Sequence, residues 1–510
     1  MSGSTRGIKG GNSRSGGLRE EISKCASKIR EYALGYGLDP FDTSFELIDH
    51  DELNEVAAYG GFPTRYPHWR FGMHYEELEK GYSFGLQKIY ELVINNDPCT
   101  AYLMKSNSMV DQKLVISHVY GHSDFFKHNY WFSQTNRKML DQMANHGTRL
   151  RRYVEKFGET VVEDFLDACM SIENLIDTHS VYSPKKRKVT EHVEDLERDV
   201  TPRKIRSKDY MDRFMNPKDF VDRQKKAIED EIAKKRKLPE HPEKDVLLFL
   251  LDNAPLDNWQ RDVLAIVREE AYYFAPQGMT KIMNEGWASY WHSKIMTEKV
   301  LCDAEVIDYA EHHAGTLGSR PGVLNPYKVG IELYREIEER WDKGRFGSDW
   351  ERCDNMQQRR EWDLKLGLGK KKIFEVRMIH NDLTFIDEFL TKEFCERHEL
   401  FVFRHNPQTN RMEIADREFA KVKEQLLFRL TNSGYPIIRV EDGNFRNRGE
   451  LKLAHQHAGL DLDGKEGRDT LRNLFRVWKR PVHIETTVEG EKKLMSFDGE
   501  KVAEEAVEEE

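Results

Sequence analysis

The sequence has no apolar run that approaches the ~20 residues needed to span a bilayer, although hydrophobic residues make up 38% of its 510 positions. It also has no secretory signal, because the opening MSGSTRGIKGGNSRSGG contains glycines and basic residues but no apolar core. These two absences argue against a membrane-spanning or exported protein. We therefore expect a cytoplasmic chain.

Paired cysteines and an excess of positive charge are missing as well. The six cysteines are scattered without a Cys-x-x-Cys pair, which argues against a disulfide framework and a cysteine zinc knuckle. A net charge of -10 argues against a general nucleic-acid-binding protein. Walker loops, dinucleotide-binding glycine motifs and nucleophile elbows are absent. No histidine has a glutamate three residues before it, which sets aside a di-iron helical bundle.

The patterning of the chain changes along its length. Apolar residues at spacings of three and four predict helices up to about residue 400, interrupted by a densely charged segment. Short alternating segments after that point predict strands. The predicted fold is mainly α, with a large helical body that contains a zincin-like helix pair, and a smaller C-terminal α+β domain. The predicted segments are a disordered tail (1–17), the two parts of the helical body (18–180 and 244–400), a charged arm or linker (181–243), the α+β domain (401–498) and an acidic tail (499–510).

Two histidines lie four residues apart in SHVYGHSDFF, residues 117–126. On a helix this spacing places His118 and His122 on one face, where both imidazoles can bind one metal ion. Zincins use the same spacing in His-Glu-x-x-His, in which the glutamate is the general base. Here Val119 stands at that position, so a base comes from elsewhere or the site does not hydrolyse by that route. A pair of ordinary core histidines is the alternative.

The segment NEGWASYWH supplies a third ligand. Read as a helix, it places Glu285 and His292 on one stripe. We therefore predict a metal site of His118, His122 and Glu285 with an open fourth position, for zinc or another divalent transition metal. His292 or Tyr290 would stabilise an oxyanion at this site.

A further carboxylate is predicted to be buried just upstream. In DNWQRDVLAIVREEAYYF the apolar helix face includes Glu270, whereas Glu269 lies nearer the rim. A buried carboxylate must be protonated, paired or bound to a metal. Glu270, or its neighbour Glu269, is therefore the candidate for the general base or a fourth ligand. A structural ion pair with Arg268 or Arg261 is the alternative.

Another histidine pair occurs in the predicted C-terminal domain. His455 and His457 lie two residues apart and share a face if the segment is a strand. Such a pair can bind a metal, but it can equally support the turn that follows. The turn-supporting role is favoured.

The chain resembles the SpoVR family, named for stage V sporulation protein R, from about residue 18 to 490. The resemblance is carried by four long blocks, HVYGHSDFFKHNYWF, SIENLIDTH, REEAYYFAPQGMTKIMNEGWASYWHSKIM and YPIIRVEDGNFRNRGELKLAHQHAGLDLD. It implies a role linked to the spore cortex, a peptidoglycan layer, or to a stress response, since relatives also occur widely in bacteria that do not sporulate. It also implies partners, because family members are often found beside a PrkA-like serine kinase and a von Willebrand A-type protein.

Two functions remain open from the sequence. The first is a metal-dependent hydrolase or transferase that acts on amide bonds of peptidoglycan peptides or their precursors, with the ion polarising the carbonyl and Glu270 or Glu269 moving the proton. The second is a non-catalytic regulatory scaffold that works with the kinase and the von Willebrand A-type protein. The charged arm at 181–243 suits regulated binding, since such segments order on contact with a partner.

Overall fold

The computed structural model describes residues 13–83, 91–183, 217–226, 238–318 and 320–507. Most of the predicted tail and most of the charged arm therefore lie outside the described residues. The chain divides into two compact units, each built from two stretches. The first unit comprises Met1–Arg151 and Tyr273–Gly434, and the second comprises Arg152–Tyr272 and Tyr435–Glu510.

Helices make up most of the described chain, which confirms the prediction of a mainly α fold. None of them is both long enough and apolar enough to cross a membrane in the part of the chain that the structure describes. The helices are α1 (Ser13–Gly35), α2 (His50–Ala58), α3 (Trp69–Ser83), α4 (Met109–His128), α5 (Met139–Phe157), α6 (Glu159–Ser171), α7 (Val246–Asn253), α8 (Asn258–Met279), α9 (Lys281–Ile295), α10 (Val306–Thr316), α11 (Pro326–Asp342), α12 (Gly347–Glu351), α13 (Met356–Glu361), α14 (Gly369–Ile379), α15 (Asp382–Phe389), α16 (Lys392–Arg397), α17 (Phe419–Leu430) and α18 (Gly464–Trp478).

Within the described residues, ten strands form three small sheets. The first unit contains a three-stranded sheet in the order β1-β3-β2 and the hairpin β4-β5, and the second unit contains a five-stranded sheet in the order β10-β9-β8-β7-β6. The predicted smaller α+β part is therefore present. The strands are β1 (Thr43–Ile48), β2 (Leu92–Ile94), β3 (Cys99–Met104), β4 (Val402–Asn406), β5 (Arg411–Asp416), β6 (Ile438–Phe445), β7 (Glu450–His455), β8 (Val482–Val488), β9 (Glu491–Phe497) and β10 (Val502–Ala506).

The structure adds three details to the predicted segments, whose boundaries stay predictions. Residues 13–17, assigned to the tail, already belong to α1. The hairpin β4-β5 lies in the first unit rather than with the later strands. The acidic tail contributes β10, which pairs antiparallel with β9. Its glutamates lie on an edge strand, where charged side chains discourage pairing with another chain.

The second unit surrounds its five-stranded sheet with helices. β7 and β8 run parallel, and α18 connects them, as a parallel pair requires a crossover. α6 packs against α18, and α7 packs against β6. A nearly buried carboxylate, Asp245, caps α7 and forms an ion pair with Arg268 of α8.

The core of the first unit is built on α4, α9, α11 and α14. Trp287, Trp291 and Tyr334 are among its largest fully buried side chains. A Cβ on Gly121 would lie 2.6 Å from Ala288 Cα, so this glycine allows α4 and α9 to pack closely. Gly286 likewise allows α9 and α11 to pack closely, because a Cβ added at this position would lie 2.4 Å from a Gly330 backbone atom. Both glycines adjoin residues predicted to bind the metal.

Buried polar groups fix the two helices that carry the predicted ligands. Asp124 of α4 is fully buried, forms an ion pair with Arg377 and accepts a 2.8 Å hydrogen bond from Trp287 Nε1. Asp382 accepts backbone hydrogen bonds from Ile282 and Met283 at 2.8 and 2.9 Å. It thereby satisfies two backbone N–H groups in the first turn of α9.

Candidate metal centre

Two adjacent turns of α4 present the histidine pair to the interior. The helix begins after Ser108, whose hydroxyl accepts a hydrogen bond from the Asp111 backbone N–H. His118 and His122 are 2% and 3% exposed, and their ring centroids are 4.5 Å apart. The spacing of four residues therefore brings both rings to one place, as the sequence predicts.

Two carboxylates complete the cluster. Glu285 of α9 places Oε2 at 3.5 Å from Nε2 of both His118 and His122. Glu91, which directly precedes β2, places Oε1 at 3.0 Å from His118 Nε2 and 3.7 Å from His122 Nε2. One ligand atom from each of the four residues lies within 4.8 Å of the others. Imidazole nitrogens and carboxylate oxygens are ligands of zinc and of other divalent transition metals.

Two atoms of the cluster are buried but not hydrogen-bonded. His118 Nε2 and Glu285 Oε2 have no hydrogen-bond partner among the residues that the structure describes, although each lies close to an oppositely charged group. A buried polar atom without a partner costs free energy. An ion at the centre of the cluster would coordinate both atoms, so the ligand set fits a divalent metal.

The outer nitrogens of the imidazoles are held by neighbouring side chains. His122 Nδ1 donates to Asn284 Oδ1 at 2.9 Å, and His118 Nδ1 shares a 2.7 Å hydrogen bond with His292 Nδ1. Hydrogen bonds of this kind orient metal-binding histidines and carboxylates. Burial, together with the nearby charges of Glu285 and Glu91, raises the pKa of Tyr327, so this hydroxyl keeps its proton beside the carboxylates.

The charges of the cluster shift one another's pKa values strongly. Burial alone would raise the pKa of Glu91, but the adjacent imidazoles of His118 and His122 lower it to about 2. Burial alone would lower the pKa of His122, but Glu285 and Glu91 raise it to about 10. Without an ion, a protonated His122 therefore lies beside two ionised carboxylates at neutral pH, and the same carboxylates raise the pKa of His118.

The two kinds of ligand differ in their access to solvent. The side chains of His118 and His122 are 3% and 4% exposed, whereas those of Glu91 and Glu285 are each 17% exposed. The ligand atom Oε2 of Glu285 is itself buried, so the exposure of this carboxylate belongs to other atoms of its side chain.

His292 and Tyr290 of α9 lie in different surroundings. His292 contacts His118 directly, and burial, together with His118, holds its pKa well below the usual range. The Tyr290 hydroxyl donates to Glu338 at 2.5 Å and contacts Lys294. The role in oxyanion stabilisation stays a prediction for both residues.

Glu270 and Glu269 both lie on α8, in the part of the helix that belongs to the second unit. Glu270 is 3% exposed and Glu269 is exposed, as the apolar pattern predicts. Neither belongs to the four-residue cluster. Arg268, suggested as a partner of Glu270, pairs with Asp245. The base or ligand role of the two glutamates stays a prediction.

His455 and His457 each have a separate hydrogen-bond partner. His455 Nδ1 lies 2.9 Å from Thr486 Oγ1, and His457 Nε2 lies 2.8 Å from Asp461 Oδ1. Asp461 also accepts the backbone N–H of Glu489, so this histidine joins a hydrogen-bonded loop. The arrangement favours the turn-supporting role.

Three residues of the centre were not found by sequence reasoning. Glu91 is a single carboxylate before a three-residue strand, and no spacing relates it to the histidines. Tyr327 follows the proline that opens α11, which marks a helix start and not a site. Asn284 had a usable signal, because it immediately precedes the predicted ligand Glu285.

The fold and the centre together define a mainly helical protein with a buried cluster of two histidines and two glutamates. Residues 18–435 match the family described as "SpoVR like protein", and residues 436–489 match the "SpoVR-like C-terminal domain". The chain belongs to the SpoVR family. It is similar to the protein of Escherichia coli (strain K12) titled "Uncharacterized protein YcgB", with 28% identity over 504 residues and 90% of each chain covered. No solved structure matches it.

Proposed function

We propose that this SpoVR-family chain is a metal-dependent enzyme that hydrolyses or transfers amide bonds. The observation that carries the proposal is the convergence of two buried imidazoles with two partly exposed carboxylates. A structural metal site is usually closed by four ligands away from solvent, whereas a catalytic site keeps one side open. Zinc is the first candidate, and other divalent transition metals suit the same ligands.

Each residue of the centre has a role in this proposal. His118, His122 and Glu285 hold the ion, which would act as a Lewis acid towards an amide carbonyl. Glu91 accepts a proton from the attacking group, because its carboxylate lies within the cluster beside the three ligands. The Tyr327 hydroxyl keeps Glu285 oriented. Glu91 would thus have the role of the glutamate base that lies beside the first histidine in zincins. Val119 occupies that sequence position here and cannot act as a base.

The substrate and setting follow from the family resemblance. Peptides of peptidoglycan, or their precursors, are the proposed substrates, in spore cortex formation or in a stress response. The proposed location is the cytoplasm, and the six unbridged cysteines support it. The kinase and the von Willebrand A-type protein are the proposed partners.

Metal content per chain tests the centre first. We expect about one ion in the wild-type protein, purified without a histidine tag, and loss of that ion in His118→Ala, His122→Ala and Glu285→Ala. His128→Ala is the matched control, because His128 lies on the same helix and pairs with Asp39 outside the cluster. An ion-free wild type, or unchanged metal in the three folded variants, would contradict the proposal and favour the scaffold function.

Turnover measurements then distinguish the catalytic roles of Glu91 and Glu270. On synthetic peptides of the peptidoglycan type, Glu91→Gln should remove most of the activity, because the amide cannot accept the proton. Glu270→Gln in parallel tests the base predicted from the sequence. Activity that survives in Glu91→Gln and disappears in Glu270→Gln would return the proton-transfer role to Glu270.

A further inference from the structure

A pocket of about 300 Å³ lies among α9, α10 and α11. None of its lining residues belongs to the four-residue cluster. One of them, Thr297, lies in a π-helical turn (Met296–Val300) that directly follows α9. Turns of this kind are rare and occur mainly at functional sites. Another, His313, places Nδ1 at 3.2 Å from Nε2 of His292.

Tyr309 lines the pocket, and its hydroxyl is buried. Tyr309 is 5% exposed, and its Oη has no hydrogen-bond partner among the described residues. Burial raises the pKa of Tyr309, so the hydroxyl keeps its proton and can donate. Its ring stacks on His313 with 5.4 Å between centroids, which fixes its position. A buried donor of this kind is satisfied when a ligand supplies an acceptor.

Arg335 supplies positive charge to the same pocket. Its Nη1 lies 2.8 Å from Oε1 of Glu332, one turn earlier on α11, and the two side chains are 42% and 27% exposed. Exposed pairs of this kind contribute little, so a ligand can compete with Glu332. The planar guanidinium matches the geometry of a carboxylate, to which it can donate two parallel hydrogen bonds.

The other charged groups of the pocket neutralise each other. Lys294 Nζ lies 3.0 Å from Oε1 of Glu338, and the Tyr290 hydroxyl donates to the same carboxylate. This group therefore adds no net charge to the wall. Arg335 remains as the cation that a ligand would meet.

We propose that this pocket binds a small carboxylate, whose oxygens accept hydrogen bonds from Arg335 and from the hydroxyl of Tyr309. A single guanidinium balances a monoanion, which favours a carboxylate over a phosphate dianion. A volume of about 300 Å³ is at the lower end for small-molecule sites. The proposal goes beyond the proposed function, because none of these residues is a ligand of the metal centre.

Binding of N-acetylglycine to the full chain tests the proposal, with the uncharged N-acetylglycinamide as the matched probe. We expect saturable binding of the carboxylate alone, measured by saturation-transfer NMR and calorimetry. Tyr309→Phe should weaken it about tenfold or more, because a hydrogen bond to a charged group is lost. Tyr334→Phe is the control, since it removes another buried hydroxyl without a described partner, outside the pocket.

A second variant, Arg335→Gln, tests the proposal at a side chain that is 42% exposed. We expect it to abolish measurable binding while the protein stays folded by circular dichroism. The proposal would be overturned if N-acetylglycine showed no saturable binding or if the amide bound equally well. Tighter binding of inorganic phosphate, or unchanged affinity in both variants, would also overturn it. Metal content is measured in the same samples, so that failure of the pocket and failure of the metal centre are distinguished.

Discussion

At the residue scale, two neighbours in the chain have complementary tasks. Glu285 enters the cluster, and Asn284 holds the outer nitrogen of His122. Because Asn284 accepts from Nδ1, the lone pair of His122 Nε2 is available to an ion. One turn of α9 therefore both supplies a ligand and orients a ligand of α4.

Replacing Asn284 by alanine should weaken zinc binding without abolishing it. Loss of a hydrogen bond to a metal-binding histidine typically costs 10- to 100-fold in affinity, so we expect a decrease of about that size. Competition with a chromophoric chelator measures it. Asn54→Ala is the matched control, because Asn54 bonds His50 at 3.0 Å on α2. A decrease of the same size in the control would assign the effect to general destabilisation.

The pH dependence of zinc affinity follows from the shifted pKa values. The pKa of His118 is raised, and that of His122 is raised to about 10, so protons compete with an ion for the nitrogens of both imidazoles. Glu91, with a pKa of about 2, is already ionised. We expect affinity to increase as pH rises from about 6.5 towards 9.

Calorimetry in buffers of different ionisation enthalpy measures the same effect. Release of at least about one proton per ion at about pH 7 is the expected result, since His122, with a pKa of about 10, is protonated there. An affinity that is constant over this interval, with no proton release, would show that the histidines are neutral in the ion-free protein.

The sequence could predict part of this centre. The spacing of His118 and His122 works because both lie on one helix, whose geometry is known in advance. Glu285 could be predicted because it lies on a second predicted helix, near His292. Glu91 could not be predicted, because its place in the cluster depends on how β2 pairs within a sheet, and no local pattern encodes that pairing.

At the element scale, glycines decide how near the ligand-bearing helices come. Gly121 lies between the two histidines, and Gly286 directly follows Glu285. Each faces a backbone that a Cβ would contact at less than 3 Å. The ligand distances therefore depend on residues that bind nothing themselves.

Gly121→Ala should separate α4 from α9. Its Cβ would lie 2.6 Å from Ala288 Cα, so the helices must shift, and overpacking of this kind costs about 1–3 kcal/mol. We expect lower stability in urea and weaker zinc binding. Gly72→Ala is the control, because Gly72 is helical with no atom within 4 Å of the added Cβ, and better helix propensity should stabilise it by up to about 1 kcal/mol.

Individual helices and strands were easier to predict than their assignment to units and sheets. The segments of α4, α8 and α9 could be predicted to be helical, since helical periodicity is a local property of the sequence. The assignment of β4 and β5 to the first unit, and of β10 to a sheet, depends on contacts between distant segments. Charge in the last residues suggested a tail, and VAEEA has no alternation of apolar and polar residues that would indicate a strand.

At the scale of the whole molecule, an ion that binds the folded cluster and not the unfolded chain adds to stability. At a free ion concentration about 100 times the dissociation constant, the gain is about 2.7 kcal/mol. We therefore expect a strong chelator to lower the melting temperature of the wild-type chain by several degrees. Differential scanning calorimetry with and without chelator measures this. His118→Ala, which lacks a ligand, should melt at the same temperature in both conditions, and an equal decrease in the variant would place the ion elsewhere.

The contacts from His118 through His292 to His313 have a consequence for the tautomers of all three rings. An ion on Nε2 of His118 leaves the single proton of that ring on Nδ1, which donates to Nδ1 of His292. The proton of His292 is then on Nε2 and is donated to Nδ1 of His313. His313 must in turn carry its proton on Nε2. His118 donates from Nδ1 both as an imidazolium and as a ligand through Nε2, so these hydrogen bonds alone fix which nitrogen of His313, two rings away, is a donor.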